Sequence, residues 1–113
     1  MDTKILENIG FTNGEIRVYL ALLEVGESTT GPIILKSKVA RSKTYEILER
    51  LKEKGLVSEV IKSGRKYFQA ASPERILDYI KRKENELSEK EWEFKKILPE
   101  LKAKQTSFEE RQE

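Results

Sequence analysis

The sequence predicts a mainly α-helical protein with one small β-hairpin. Three observations support this prediction. Apolar residues recur at helical spacing over most of the chain, β-branched and aromatic runs flank Ser63 and Gly64, and a long charge-rich segment follows. Hydrophobic and charged residues each make up 37% of the 113 residues, which is typical of a small domain with a solvated helical extension.

The N-terminal segment predicts two helices. Ile5, Leu6 and Ile9 lie at helical spacing before a glycine, so a short helix is expected to end near residue 9. In "TNGEIRVYLALLEVG", Thr12 and Glu15 form the capping-box pattern that begins a second helix. This second helix carries the richest apolar pattern in the chain, so we expect it to lie at the centre of the domain.

A third short helix is predicted in "ESTTGPIILKSK". Thr29 is placed to cap it, and Pro32 is tolerated because it falls within the first turn. Ile33, Ile34 and Leu35 are expected to supply its buried face.

The stretch "VARSKTYEILERLKEKGLV" predicts a fourth helix with one core-facing side. Thr44, Ile47, Leu48 and Leu51 repeat at intervals of three and four residues, and Gly55 is placed to end the helix. A hairpin should follow, because "LVSEVIK" and "KYFQAA" are strand-like runs joined by "SGR".

The segment after the hairpin predicts one long helix that pairs with a second copy of the chain. Ser72 is placed as N-cap and Pro73 at the first helical position, whereas Pro99 should kink or end the helix. Apolar residues recur every seven positions, as in a coiled coil, and are expected to form a dimer interface. The interface residues are Ile80, Leu87, Phe94 and Leu101 of this seam, with Leu77 and Leu98 of a companion seam that Glu84 and Glu91 interrupt.

These elements predict three regions. Residues 1–71 form a folded domain, residues 72–104 form a coiled-coil-like dimerisation helix, and residues 105–113 form a polar tail with too little apolar content to become ordered.

The composition excludes several classes of function. The chain has no cysteine and no histidine, so disulfides, thiolate or histidine catalysis and most zinc sites are absent. We predict no catalytic residues, no metal site and no cofactor, and therefore no enzyme. No apolar run approaches the roughly 20 residues that span a bilayer, so we expect a soluble, cytoplasmic protein without a membrane partner.

The basic residues are concentrated in the centre of the chain. Residues 36–66 hold ten Lys or Arg against four Glu, whereas residues 1–35 and 84–113 each carry a net charge of −3. At the start of the fourth helix, Arg41 and Lys43 place positive charge where the helix dipole disfavours it. A localised anionic partner is therefore expected.

After the short first helix, three helices, a hairpin and a closing helix follow in the element order of a winged helix-turn-helix domain. In this arrangement a recognition helix, here the fourth helix, enters the DNA major groove, and the hairpin, or wing, reaches the neighbouring backbone. Two interpretations stay open for Tyr45, a DNA contact and packing against the wing, and for Thr29, a phosphate contact and a helix cap. The candidate DNA contacts are Arg41, Ser42, Lys43, Tyr45, Lys36, Lys38, Thr29, Arg65 and Lys66.

The sequence resembles the TrmB-like family of archaeal transcription regulators. The resemblance runs through "GFTNGEIRVYLALLEVGESTTGPI", "VARSKTYEILERLKEKGLV" and "KYFQAASPE". It implies a winged-helix DNA-binding domain, dimeric regulators and palindrome-like operators. It implies DNA contacts at Arg41, Ser42, Lys43 and Tyr45, and wing contacts at Arg65 and Lys66.

The sequence departs from this family in two respects. Lys38 stands where such proteins often have glycine, and the 113 residues end before the sugar-sensing domain of larger members. Sugar binding is therefore not expected, and no small-molecule ligand is predicted.

The sequence thus predicts a homodimeric, sequence-specific regulator that binds double-stranded DNA. The alternative is a winged-helix module that docks a partner protein and does not read DNA. The two differ at the start of the recognition helix, whose charges would be dispensable for binding a partner protein.

Overall fold

A computed structural model, which describes residues 1–111, contains five helices and one antiparallel hairpin within that range. The helices are α1 (Lys4–Asn8), α2 (Asn13–Val25), α3 (Thr30–Ser37), α4 (Arg41–Glu53) and α5 (Arg75–Arg111); the strands are β1 (Val57–Lys62) and β2 (Arg65–Ala70). The predicted fold class is confirmed. The chain divides into two compact units, residues 1–79 and the residues from Ile80 onward.

The start of α2 forms the predicted capping box. The Thr12 hydroxyl accepts the Glu15 N–H at 3.1 Å, and the Glu15 carboxylate accepts the Thr12 N–H at 3.2 Å. Glu15 is buried, so the cap also brings a negative charge into the interior of the first unit.

The end of α4 has the glycine stop that the sequence indicates. Gly55 has a φ of 78°, its N–H donates to Lys52 O at 2.9 Å, and the Leu56 N–H donates to Leu51 O at 2.9 Å. These two bonds are the Schellman arrangement, which satisfies the last carbonyls of a helix. Leu56 is fully buried, so the same turn anchors the chain as it enters β1.

The core of the first unit lies where α2, α3 and α4 meet the hairpin. Thr44, Ile47, Leu48 and Leu51 of α4 are buried as predicted. A side chain at Gly14 would lie 2.8 Å from Ile47 Cδ1, so α2 and α4 approach closely there. The remaining buried apolar residues are Phe11, Ile16, Val18, Tyr19, Ala21, Leu22, Ile33, Val39, Leu56, Val57, Phe68 and Tyr79.

Two predictions about α3 require correction. Ile33 is buried, but Ile34 is half-buried and Leu35 is 82% exposed. Successive side chains point about 100° apart around a helix, so three consecutive residues cannot share one buried face. Thr29 occupies the N-cap position but its side chain makes no capping bond, and Pro32 at the third helical position has no N–H to donate.

The hairpin has the predicted two-residue tip. Ser63 and Gly64 both have positive φ, 50° and 75°, as required for a two-residue turn that matches the twist of the strands. Phe68 also forms a bridge outside the hairpin: its N–H donates to Ser28 O at 2.7 Å and its carbonyl accepts the Ser28 N–H at 2.9 Å. The wing is therefore tied to the segment that enters α3.

The boundary between the two units lies later than the predicted residue 71. Pro73 and Glu74 form a turn before α5, so Pro73 is not the first helical residue. Tyr79 is buried, its ring centroid lies 5.1 Å from that of Phe11, and its hydroxyl donates to Ile9 O at 3.4 Å. The beginning of α5 thus belongs to the core of the first unit.

The second unit is helical over all its described residues, and the structure corrects the predicted helix end. Pro99 lies inside α5, and the helix continues through residues 105–111, which were expected to be disordered; residues 112–113 of that tail lie outside the described residues. Pro99 removes the hydrogen bond to the Lys95 carbonyl, which water can satisfy on an exposed helix, and its ring crowds the same carbonyl. The flanking residues are mostly strong helix formers.

Candidate nucleic-acid interface

The turn between α3 and α4 is held by an arginine from α2. Arg17 Nε donates to Ser37 O at 2.9 Å, and Arg17 Nη2 donates to Lys38 O at 2.8 Å. Lys38 adopts the left-handed conformation (φ 60°, ψ 25°), which ends α3 and turns the chain towards α4. Arg17 was not among the predicted site residues, because its role depends on a contact twenty residues away.

The first turn of α4 presents cations with no carboxylate partner. Arg41, Ser42 and Lys43 are exposed, and Ala40 at the N-cap position has no side-chain acceptor for the free N–H groups. Among residues 1–111, no carboxylate pairs with Arg41 or Lys43. Free N–H groups, a positive dipole end and two unpaired cations favour an anion at this position.

A cleft of about 320 Å³, here called the wing cleft, lies between the start of α3, α4 and the wing. Tyr45 contributes its hydroxyl, which lies 3.3 Å from Thr30 Oγ1, while 50% of the Tyr45 residue remains exposed. The hydrogen bond with Thr30, together with the nearby charges of Arg41 and Lys66, lowers the pKa of the Tyr45 phenol. The wing cleft is lined by Thr29, Thr30, Tyr45, Arg65, Lys66 and Phe68.

The remaining predicted residues lie outside the wing cleft. A second cleft of about 510 Å³ is lined in part by Lys38 and Lys43, together with Arg17 and the start of α2. Lys36 is paired instead with Glu24 at 2.9 Å, so part of its charge is already compensated. The structure thus brings four predicted residues together in the wing cleft and two in the second cleft. Arg41 and Ser42 lie on the first turn of α4.

Cations elsewhere on α4 and the wing are paired with carboxylates. Arg50 lies 2.8 Å from Glu46, and Glu59 of β1 lies 2.6 Å from Lys52 and 3.3 Å from Lys66. Hydrogen bonds from Lys52 and Lys66 lower the pKa of the Glu59 carboxyl. Among the described residues of the wing, Arg65 has no such partner, so the unpaired cations are Arg41 and Lys43 on α4 and Arg65 on the wing.

Residues 1–111 contain no group of three Asp or Glu side chains arranged to hold a metal ion. No helix within those residues is both long and apolar enough to cross a membrane.

A family model matches most of the first unit of the chain. The family model described as "Sugar-specific transcriptional regulator TrmB" matches residues 6–74. YrhO of Bacillus subtilis is 47% identical over 51 residues, which are 45% of this chain and 18% of YrhO. The chain therefore spans less than a fifth of that relative.

Solved structures with a similar fold include two DNA-binding proteins and a member of the MarR family. TrmBL2, an archaeal chromatin protein, is 24% identical with a TM-score of 0.62, over 83% of this chain and 39% of TrmBL2. A MarR family protein from Bacillus stearothermophilus is 26% identical with a TM-score of 0.55, over 91% and 81% of the two chains. BpsR of Bordetella bronchiseptica is 14% identical with a TM-score of 0.57, over 71% and 63%.

These structures confirm the winged-helix fold, and the family match includes α2, the turn and all of α4. Because that match covers more than half of the chain, the protein belongs to the TrmB family of transcriptional regulators.

Proposed function

We propose that the protein is a homodimeric transcription regulator that binds double-stranded DNA sequence-specifically, with α4 in the major groove and the wing on the adjacent backbone. The observation that carries the proposal is the set of unpaired cations, Arg41, Lys43 and Arg65, at the start of α4 and on the wing. A protein gains little by leaving such charges unpaired around a helix N-terminus unless an anion binds there. DNA phosphates supply that anion in this family's fold.

The Arg41→Ala/Lys43→Ala variant tests DNA binding. We expect weaker binding and a shallower dependence of affinity on salt, by about one unit of the log–log slope for each phosphate that the variant no longer binds. Fluorescence anisotropy over a salt series measures both quantities.

The matched control is Lys52→Ala/Lys62→Ala, which also removes two positive charges. These lysines pair with Glu59 and Glu27, so their removal should change the slope much less. If both double variants give the same slope as the wild type, Arg41 and Lys43 bind no DNA phosphate. The protein-docking interpretation would then be favoured.

The dimer proposal rests on the apolar stripe of α5. Leu87 is 71% exposed, Phe94 48% and Leu101 45%, although they repeat every seven residues. Phe108 continues this period beyond the predicted seam and is also exposed. A seven-residue stripe on a solvated helix is the surface that a second helix covers in a coiled coil. Two linked domains could then occupy half-sites about one DNA turn, roughly 34 Å, apart.

Substitution of Leu87 tests this interface. Leu87→Lys should shift the sedimentation coefficient of the chain towards that of a monomer, because it places charge in the apolar seam. Asn85→Lys is the control, since Asn85 lies about 200° around the helix from Leu87. A wild-type chain that sediments as a monomer at micromolar concentration would exclude the coiled-coil dimer.

A further inference from the structure

We propose that Glu46 is a specificity-determining residue that selects a cytosine in the major groove. This inference rests on the proposed DNA-binding function and assigns a base to one position of α4. It comes from a feature of α4 that charge totals conceal: beyond the basic first turn, the outward face of the helix is acidic.

The outward face of α4 is set by its buried face. Thr44, Ile47, Leu48 and Leu51 point into the core, so the residues on the opposite side face solvent. Ser42 and Glu46 lie there four positions apart, one above the other. The side chains of Glu46 and Glu49 are 67% and 60% exposed. If Ser42 on the first turn reaches DNA, Glu46 is the next side chain along the same face.

The Glu46 carboxylate is oriented by a neighbouring arginine. Arg50 Nη1 donates to Glu46 Oε1 at 2.8 Å, a pairing between successive turns of α4. Within residues 1–111, the other oxygen, Oε2, accepts no hydrogen bond and remains available to a ligand. The side chain is therefore held in place while one acceptor stays free.

A carboxylate on this face has few favourable partners in DNA. Phosphates repel it, and guanine O6 and N7 and thymine O4 are acceptors that it cannot bond. Adenine presents its N6 amino donor directly beside the N7 acceptor, which repels a carboxylate. The N4 amino group of cytosine is a donor in the major groove, and Glu and Asp accept from it. A glutamate one turn beyond a phosphate-binding first turn thus weakens binding to sequences that offer it no suitable amino group, and it favours cytosine.

Selection of bound fragments from random DNA, with wild-type protein and Glu46→Gln at one salt concentration, tests the assignment. The wild-type site should contain a cytosine in each half-site whose replacement by thymine weakens binding by roughly tenfold. Glu46→Gln should lose that preference, because one acceptor oxygen becomes an amide donor. It should also bind unrelated DNA more tightly.

Glu53→Gln is the matched control. It removes the same charge from the last residue of α4, about 10 Å further along the helix axis. A general charge effect would raise the affinity for unrelated DNA in both variants, whereas only Glu46→Gln should change the cytosine preference. Thermal melting should show that the exposed substitutions leave the fold intact.

The outcomes separate this inference from the proposed function. Equal cytosine discrimination by wild type and Glu46→Gln, or its loss in Glu53→Gln as well, would overturn the role of Glu46 and leave DNA binding standing. Wild-type binding without base preference would overturn both the role of Glu46 and sequence-specific recognition, and would leave DNA binding itself standing. A wild-type protein that binds no DNA would overturn both proposals.

Discussion

The two ends of α4 carry positive charge for different purposes. At its end, Lys54 pairs with the buried Glu15 of α2 and lies 5.3 Å from the centroid of the Phe11 ring, while Arg50 Nε lies 3.9 Å from Glu15. At its start, Arg41 and Lys43 pair with no carboxylate in residues 1–111. The same residue types stabilise the fold at one end and remain available to a ligand at the other.

This difference explains why net charge alone is a poor guide to a binding surface. Lysines and arginines near a helix C-terminus already interact favourably with the helix dipole. The informative quantity is which cations lack a carboxylate partner in the folded chain. Three experiments test whether the two ends of α4 have different roles.

Stability should depend most on the end of α4, where Lys54 pairs with Glu15 of α2. Glu15→Ala removes both the capping box and the partner of Lys54, and should lower the free energy of unfolding by about 2–4 kcal/mol. Urea denaturation measures the change, and Arg41→Ala is the control from the other end, with an expected effect below about 0.5 kcal/mol. A larger loss for Arg41→Ala than for Glu15→Ala would contradict the division of roles.

A smaller effect is expected from acid. Burial tends to raise the pKa of the Glu15 carboxyl, but hydrogen bonds from Lys54 and Thr12 and the Lys54 charge lower the pKa below its ordinary value near 4.5. The stabilisation is therefore complete above about pH 4.5 and is lost as the pH falls through the folded-state pKa.

Glu15→Gln should flatten this pH dependence in thermal melts between neutral and acidic pH. The glutamine retains the capping pattern but cannot titrate. Glu59, whose pKa is also lowered, should account for part of the remaining acid sensitivity. An unchanged slope in Glu15→Gln would show that Glu15 does not contribute to acid unfolding.

Smaller effects still are expected at the left-handed residues on either side of α4, which are Lys38 at the end of α3 and Gly55 after α4. Gly55→Ala should lower the free energy of unfolding by about 1 kcal/mol, because φ is 78° although nothing lies within 4 Å of the added Cβ. Lys38→Gly should raise it by under about 1 kcal/mol, since relief of strain is offset by greater freedom in the unfolded chain. If chemical denaturation showed that both substitutions change the free energy of unfolding in the same direction, backbone conformation would not explain their effects.

Local signals allowed much of the fold to be predicted. The capping box of Thr12 and Glu15, the stop at Gly55 and the tip at Ser63 and Gly64 each depend on a few neighbouring residues, and the structure confirms all three. The predicted end of α5 at Pro99 required correction because flanking propensity outweighs one missing hydrogen bond on an exposed helix.

The sequence predicts the candidate site less completely than it predicts the fold. Arg41, Ser42 and Lys43 could be located from their opposition to the helix dipole, but their lack of partners depends on tertiary contacts. Lys66 and Arg65 are adjacent in sequence, yet of these two only Lys66 pairs with Glu59. No pattern in the sequence indicates that Arg17 holds the turn before α4.

The alternation of side chains behind the two-residue tip limits how the wing can be lengthened by insertion. Side chains alternate between the faces of a strand, and Phe68 must stay in the core while its neighbour Tyr67 lies on the other face. One extra residue in each strand between the tip and Phe68 would move Arg65 to the opposite face. A longer wing that still presents Arg65 to the cleft must therefore gain residues in pairs on each strand, about 7 Å of reach at a time.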